Sequence, residues 1–200
     1  MDIEEKEDIQ KFIKNQFLAS VRMKEALLTS GPVLEGMDRI VRIMVESFRS
    51  GGKVLLCGNG GSAADAQHLS AELSGRFRKD RAPLFAEALH VNTSFLTAVA
   101  NDYDYESVFA RMVDAMGREG DVLLAFSTSG QSGNILAAVR QAQKKGMITA
   151  GFTGKDGGEL GQICDIEFRM PSDDTARIQE GHMLVGHTIC ELVEKIMFPE

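Results

Sequence analysis

The sequence predicts a three-layer α/β sandwich around five parallel strands, preceded by two helices. From about residue 50 onward, short apolar runs alternate with longer helical patterns, which is typical of βαβ units. The runs are continuously apolar, as expected for strands buried on both faces of a parallel sheet. Because ligands bind beyond the carboxyl ends of such strands, the loops that follow strands are the first places to look for function.

Two amphipathic patterns precede the first strand. Apolar residues recur at helical spacing from Ile9 to Leu28, where Gly31-Pro32 ends the run, and again from Val33 to Phe48. These helices lie outside the βα alternation. Their wide apolar faces indicate that they pack against other apolar surface, and a second subunit is the simplest candidate.

The remaining elements follow in chain order and complete a single domain. We expect residues 1–200 to form one domain, with residues 1–50 used in oligomer packing and residues 51–200 forming the α/β core. The predicted strands are Lys53–Cys57, Leu84–Leu89, Val122–Phe126, Ile148–Phe152 and Asp165–Met170, and the predicted helices cover 62–78, 92–116, 132–145 and 174–197.

Composition excludes several classes of protein. A formal net charge of -7 argues against a general binder of nucleic-acid backbones, so no direct nucleic-acid binding is expected. The cysteines, Cys57, Cys164 and Cys190, are scattered and odd in number, which favours reduced core thiols over a disulfide framework. The acidic N-terminus is unlike a signal peptide, and no apolar run approaches the roughly 20 residues of a membrane span. We therefore expect a cytoplasmic protein without a membrane partner.

The loop after the first strand is rich in glycine. Asn59, Gly60 and Gly61 precede Ser62; the glycines let backbone N–H groups approach a ligand, and Ser62 is placed to cap the next helix. The loop lacks the lysine of a GxxxxGK(S/T) phosphate loop, and Ala63 stands where a dinucleotide fingerprint has its third glycine. A sugar-binding loop and a simple strand–helix turn both remain open.

The loop after the third strand is rich in hydroxyl groups. Ser127, Thr128, Ser129 and Ser132 open the following helix, although capping needs only one such group. With the positive end of the helix dipole they form a neutral cup for a phosphate. The absence of lysine and arginine from this loop favours a monophosphate ester over a triphosphate, and the alternative is an ordinary polar turn.

The two loops carry a family resemblance. The segments CGNGGSAADAQHLSAELSGR and AFSTSGQSGN, with VANDY, GREGDVLL, TGKDGGEL and ARIQEGH, resemble the SIS (sugar isomerase) fold, and most closely the phosphoheptose isomerase family. The resemblance runs from about residue 50 to the C-terminus and implies a flavodoxin-like sheet. It also implies conversion of sedoheptulose 7-phosphate to D-glycero-D-manno-heptose 7-phosphate by a homotetramer that supplies heptose for cell-surface polysaccharide such as lipopolysaccharide.

A metal site is suggested by helical spacing and by the resemblance. His68 and Glu72 are four residues apart, so they share a helix face and can ligate one zinc or simply form a solvated pair. The resemblance implies one Zn²⁺ per subunit held by His68, Glu72, Gln179 and His187. Gln179 and His187 are roughly 12 Å apart along a straight helix, so we expect either a bend or ligands from different subunits. By spacing alone His182 is the easier partner for Gln179.

The implied reaction needs a base at carbon and a proton carrier at oxygen, acting through an enediol or enediolate. We assign the first role to Glu72, as the family resemblance implies, and the second to His187, because imidazole titrates near neutrality. The substrate-binding residues expected from the two loops and the resemblance are Asn59, Gly60, Gly61, Glu72, Asn101, Asp102, Ser127, Thr128, Ser129, Ser132 and Gln179. Asn101 and Asp102 can also be read as a simple turn.

Two other functions fit the same fold. A bacterial SIS protein that binds the replication initiator shares many of these residues but lacks an acid at the position of Glu72 and a histidine at that of His187; this chain has both, which favours the enzyme. A sugar-phosphate sensor domain of a regulator is disfavoured because no DNA-binding segment is evident. Ala176 stands where some phosphoheptose isomerases have aspartate, so that task passes to a neighbour such as Asp173 or Asp174, or is dispensed with.

Overall fold

The structure, a computed structural model, describes residues 3–199; Met1, Asp2 and Glu200, the ends of the predicted domain, lie outside this range. The strands are β1 Val54–Gly58, β2 Ala86–Ala88, β3 Val122–Phe126, β4 Ile148–Thr153 and β5 Ile166–Arg169. They form one parallel sheet in the order β2-β1-β3-β4-β5, which confirms the predicted fold class. The helices are α1 Ile3–Leu28, α2 Gly31–Arg49, α3 Gly61–Ser74, α4 Thr93–Asp102, α5 Val108–Met116, α6 Gly133–Lys144, α7 Gly158–Ile163 and α8 Thr175–Met197.

Each face of the sheet has its own apolar core. On one face, strand residues such as Leu56 pack in a cluster with Leu69 of α3 and with residues of α1, α2 and α8. On the other face, Leu55 belongs to a cluster that includes Phe109 of α5 and residues of α4, α6 and α7. Because successive strand residues point to opposite faces, both faces of a continuously apolar strand are buried, and this explains the pattern seen in the sequence.

The clearest differences from prediction concern the helices. The helix predicted over 92–116 is broken into α4 and α5, because the carboxylate of Asp104 accepts hydrogen bonds from the backbone N–H and hydroxyl of Ser107 at 2.6 and 2.7 Å and so favours a turn there. The helix predicted to reach residue 78 ends at Ser74, with Gly75 as its C-cap. The short helix α7 was not predicted, since six residues are too few to show a helical period.

The sheet order places the two polar loops side by side. β1 and β3 are neighbours, with Gly58 opposite Phe126 at their carboxyl ends, and the connections from these strands leave toward opposite faces. This is the point in an open α/β sheet where a crevice forms beyond the strand ends. Within the described part of the chain, no helix has both the length and the apolar character needed to cross a membrane.

Candidate active site

The glycine loop, residues 59–61, turns tightly from β1 into α3. A Cβ on Gly58 would collide with the backbone of Ser62, so only glycine fits at that point. The helix starts at Gly61 with Gly60, at φ 57°, as its N-cap. Ser62 therefore lies inside the helix and is buried, and the expectation that it caps α3 is wrong. The positive φ that glycine tolerates at Gly60 lets the helix begin before the serine.

The hydroxyl loop, residues 127–132, lies at the N-terminus of α6, as the sequence predicted. The hydroxyls of Ser127 and Ser132 are 3.1 Å apart, and Ser132 is the N-cap of α6 without using its side chain for capping. The hydroxyl of Ser129 accepts a hydrogen bond from the N–H of Gln131 at 3.2 Å. Ser127 is buried, while Thr128, Ser129 and Ser132 are partly exposed, so the loop presents a neutral, hydroxyl-lined surface at the positive end of a helix dipole.

Gly130 fixes the position of this loop. It is buried, has φ +65°, and its Cα faces the backbone of Gly157 and Gly158, with which any added Cβ would collide. Its carbonyl accepts a hydrogen bond from the N–H of Leu160 at 2.9 Å. The hydroxyl loop is therefore packed directly on the loop that precedes α7.

An asparagine pair joins the two loops. The side-chain amides of Asn59 and Asn134 donate to each other's carbonyl oxygens at 2.8 and 2.9 Å, and the hydroxyl of Tyr105 donates to Asn59 at 3.1 Å. Neither Asn134 nor Tyr105 was predicted to have a role; the available signal was an asparagine in each of the segments that follow β1 and β3. The pair keeps the glycine and hydroxyl loops in register.

Three predicted metal ligands converge between α3 and α8. His68 Nε2 lies 3.0 Å from Glu72 Oε1 and 3.0 Å from His187 Nε2, and the donor atoms of these residues all lie within 4.8 Å of one another. Two neutral imidazoles that face each other through Nε2 leave at least one lone pair aimed into the cluster. This set of two nitrogens and one carboxylate oxygen fits a divalent metal such as zinc.

Close helix packing brings these ligands together. A Cβ on Gly186, the residue before His187, would collide with the side chain of Leu69, the residue after His68. The missing side chain lets α3 and α8 approach each other where their ligands face. Gly186 therefore serves the close approach of α8 to α3.

The ring of His187 has a defined environment. Phe77 stacks on it with ring centroids 5.6 Å apart and an interplanar angle of 8°. Partial burial lowers the pKa of His187, as do the nearby His68 and Arg78, while Glu72 acts in the opposite direction. The imidazole is therefore kept neutral and available as a ligand or proton acceptor near pH 7.

A cavity of about 520 Å³ opens beside the cluster and is lined by Gln179, His187, Ala176 and Asp65. The side-chain amide of Gln179 lies against Gly61, so this residue connects the glycine loop with α8. Burial raises the pKa of Asp65 to about 6. Asp65 was not predicted to be functional, because in the sequence it looks like an ordinary helix acid; the fold places it in the same cavity as Ala176.

The remaining candidates lie elsewhere. His182 is fully buried, and its Nε2 lies 3.0 Å from the carbonyl of Thr153, so it belongs to the core. The carboxylate of Asp174 caps α8 by accepting from the N–H of Ala176 at 2.9 Å. Asn101 and Asp102 are exposed and bond to each other at 2.9 Å; within residues 3–199 no hydrogen bond joins them to the two loops.

Comparison with known proteins is consistent with this geometry. The SIS domain family model matches residues 19–154. The phosphoheptose isomerase of Clostridium acetobutylicum is 50% identical over 192 residues, which is 96% of this chain and 98% of that protein. That of Burkholderia pseudomallei strain K96243 is 50% identical over 187 residues, 94% of this chain and 95% of that protein. The solved structure of the phosphoheptose isomerase of Neisseria gonorrhoeae has a TM-score of 0.88 at 39% identity, covering 94% of this chain and 99% of that one.

Proposed function

This chain belongs to the phosphoheptose isomerase family of SIS-domain proteins, and from that premise we propose that it converts sedoheptulose 7-phosphate to D-glycero-D-manno-heptose 7-phosphate. The observation that carries the proposal is the convergence of His68, Glu72 and His187 beside a cavity lined by residues of α1, α3 and α8. The rival function, binding of a replication initiator, receives no support from the relatives, which are isomerases.

The substrate's phosphate is assigned to the hydroxyl loop. Hydroxyl and backbone N–H donors of Ser127 to Ser132 and the dipole of α6 favour a dianionic ester without a cationic side chain. The sugar then extends toward Asn59, Gly60 and Gly61 of the glycine loop, in which Asn59 is held in place by Asn134. We assign Asn101 and Asp102 to the sugar hydroxyls on the family resemblance, since both are exposed and accessible to a ligand.

The metal site is assigned to His68, Glu72, Gln179 and His187, with one Zn²⁺ per subunit. When bound there, Zn²⁺ supplies Lewis-acid polarisation of the substrate carbonyl. His68, Glu72 and His187 are supported as ligands by the convergence of their donor atoms. For Gln179 it is the position of the side chain in the same cavity as His187, together with the family resemblance.

Two side chains move the protons. Glu72 takes a proton from C1 of the ketose and returns it to C2, while His187 carries the hydroxyl proton from O1 to O2, so that the atoms balance and no redox partner is needed. Glu72 Oε1 faces His68, which leaves Oε2 to accept the carbon-bound proton. In the metal-free protein, partial burial lowers the pKa of His187, so its ring is unprotonated at neutral pH.

We further propose a homotetramer. Helix α1 exposes large apolar side chains, among them Phe12 at 64%, Phe17 at 67% and Leu28 at 75% exposure. Apolar residues repeated along one helix in this way mark an interaction surface, and a second copy of the chain covers it most simply. Light scattering should give four times the 21.8 kDa mass of one chain, and a monomer would contradict the assignment.

The decisive experiment is incubation of the purified protein with sedoheptulose 7-phosphate, with product followed by chromatography. We expect heptose 7-phosphate to form, to stop after chelation and dialysis, and to resume on addition of Zn²⁺. Fructose 6-phosphate and unphosphorylated sedoheptulose serve as controls for chain length and phosphate. Absence of turnover in the metal-loaded protein would refute the proposed reaction.

A further inference from the structure

A buried ion pair joins the segment that follows α3 to the C-terminal part of α8, and these two helices carry the candidate metal ligands. Arg81 Nε lies 3.0 Å from Glu194 Oε2, and the two side chains are 3% and 1% exposed. Arg81 follows the end of α3 in the chain, whereas Glu194 lies in the last turns of α8. Neither residue touches the cavity, and neither has a place in the proposed proton transfers.

Arg81 holds the C-terminal end of α3. Its guanidinium donates to the carbonyl of Glu72 at 2.8 Å and to that of Leu73 at 2.7 Å, with further bonds to Gly75 and Ala82. The last carbonyls of a helix lack partners within the helix, and here a single side chain binds two of them. One of them belongs to Glu72 itself, so Arg81 acts directly on the backbone of the proposed base.

Glu194 holds the segment between α3 and Arg81. Besides the guanidinium, its carboxylate accepts the backbone N–H groups of Phe77 at 3.3 Å, Arg78 at 2.9 Å and Lys79 at 3.0 Å. Burial alone would raise the pKa of Glu194, but these bonds and that from Arg81 outweigh it and lower the pKa. The carboxylate therefore stays ionised and keeps its partners.

The segment held by Glu194 contacts the candidate metal cluster through Phe77. Glu194 lies seven residues after His187, two turns along the same face of α8. By binding the N–H of Phe77, it sets the position of the ring that stacks on His187. The pair thus reaches His187 from one side, through Phe77, and Glu72 from the other, through its carbonyl.

We propose that the Arg81–Glu194 pair is the positioning element that sets the separation between the His68–Glu72 helix and His187. The inference rests on the proposed function, because it gives the pair a role only if these three side chains bind the metal. Partners that orient ligands from outside the coordination sphere are known to change metal affinity by about 10- to 100-fold.

The chain contains a matched control. Lys53 Nζ lies 2.6 Å from Asp121, and both side chains are buried. Asp121 also accepts the backbone N–H groups of Lys53 and Arg118, each at 2.9 Å. This pair lies at the amino ends of β1 and β3 and shares no hydrogen bond with the cluster in the described residues, so disrupting it should lower stability without changing the geometry of the cluster.

The test measures Zn²⁺ affinity of the full-length protein by competition with a chromophoric chelator. We expect Glu194→Gln to weaken binding by about tenfold or more, Phe77→Leu to weaken it by a smaller factor, and Asp121→Asn to leave it within about twofold of wild type. Equal weakening by Glu194→Gln and Asp121→Asn would mean that the pair acts only through stability and would overturn the proposal.

A second readout does not depend on metal. In metal-free protein with labelled histidine, the His187 ring signal should be shifted upfield by stacked Phe77, and Glu194→Gln should remove most of that shift. If Glu194→Gln does not fold, Phe77→Leu decides: unchanged affinity and an unchanged His187 signal overturn the proposal. A wild-type protein that binds no metal would refute the metal site, while loss of the upfield shift in Glu194→Gln would still support positioning of His187.

Discussion

Gly130→Ala tests whether the hydroxyl loop is held in place by its contact with the loop before α7. Gly130 has φ +65°, and a Cβ there would collide with the backbone of Gly157 and lie 2.9 Å from the Cα of Gly158. The atoms it would meet are backbone, so they cannot move aside as a flexible side chain would. The substitution must displace one loop or the other.

The cost has two parts. A residue with a Cβ in the left-handed region costs about 1–2 kcal/mol, and overpacking a tight contact costs a further 1–3 kcal/mol or so. The sum is about 2–5 kcal/mol, which for a chain of this size lowers Tm by roughly 4–20 °C. If the displaced loop loses one hydrogen bond to a charged phosphate, worth about 1.5–3 kcal/mol, KM rises about tenfold or more.

Gly120→Ala is the matched control for Gly130→Ala. Gly120 also has a positive φ, +81°, but nothing lies within 4 Å of its added Cβ. It should therefore show only the backbone cost, roughly 2–8 °C in Tm, with KM unchanged. Calorimetry and steady-state kinetics of both variants at equal protein concentration separate strain from collision.

The reasoning fails if Gly130→Ala is no less stable than Gly120→Ala, because the collision would then be absorbed at no cost. It also fails if stability drops as expected while KM for the sugar phosphate stays at the wild-type value. In that case the hydroxyl loop would not be the phosphate site.

Three further perturbations address the site and the core. Glu72→Gln should reduce kcat by about 10²–10⁴-fold, as expected for loss of a general base, while sugar-phosphate binding measured by calorimetry persists. Ser129→Ala combined with Ser132→Ala should mainly raise KM, because the hydroxyls are assigned to ground-state phosphate binding. Burial lowers the pKa of His182 to about 4, although its bond with the Thr153 carbonyl opposes this. Since the unfolded chain binds more protons between about pH 4 and 6.5, the folded protein should lose on the order of 3 kcal/mol on acidification through that window, and His182→Gln should lack this loss in pH-dependent denaturation.

Each of these has a contrary outcome. Undiminished turnover by Glu72→Gln would remove it as the base. An unchanged KM in the double serine variant would remove the phosphate assignment. Parallel stability curves for wild type and His182→Gln between pH 4 and 6.5 would show that His182 is not buried in neutral form.

The fold could be predicted because a buried strand appears in the sequence as a short run of apolar residues. The predicted strand Val122–Phe126, for example, has the same bounds in the structure. The two polar loops followed from it, because parallel topology dictates where strand ends lie. The start of α3 was predicted too late, since serine is the commoner cap and the sequence does not show that Gly60 adopts a positive φ. Asp65 and Asn134 were missed because their importance comes from neighbours far away in the chain.

The metal cluster shows where prediction from sequence reaches its limit and why. The spacing of His68 and Glu72 places them on one helix face, but no local sequence pattern shows that His187 lies near them. That proximity depends on the close contact between Gly186 of α8 and the side chain of Leu69 in α3. A glycine beside a histidine reads equally well as a bend or a helix end, so the contact that unites the ligands is invisible until both helices are placed. Positions that set ligand geometry are therefore better sought at interhelical contacts than among the chemically reactive residues, which the sequence already reveals.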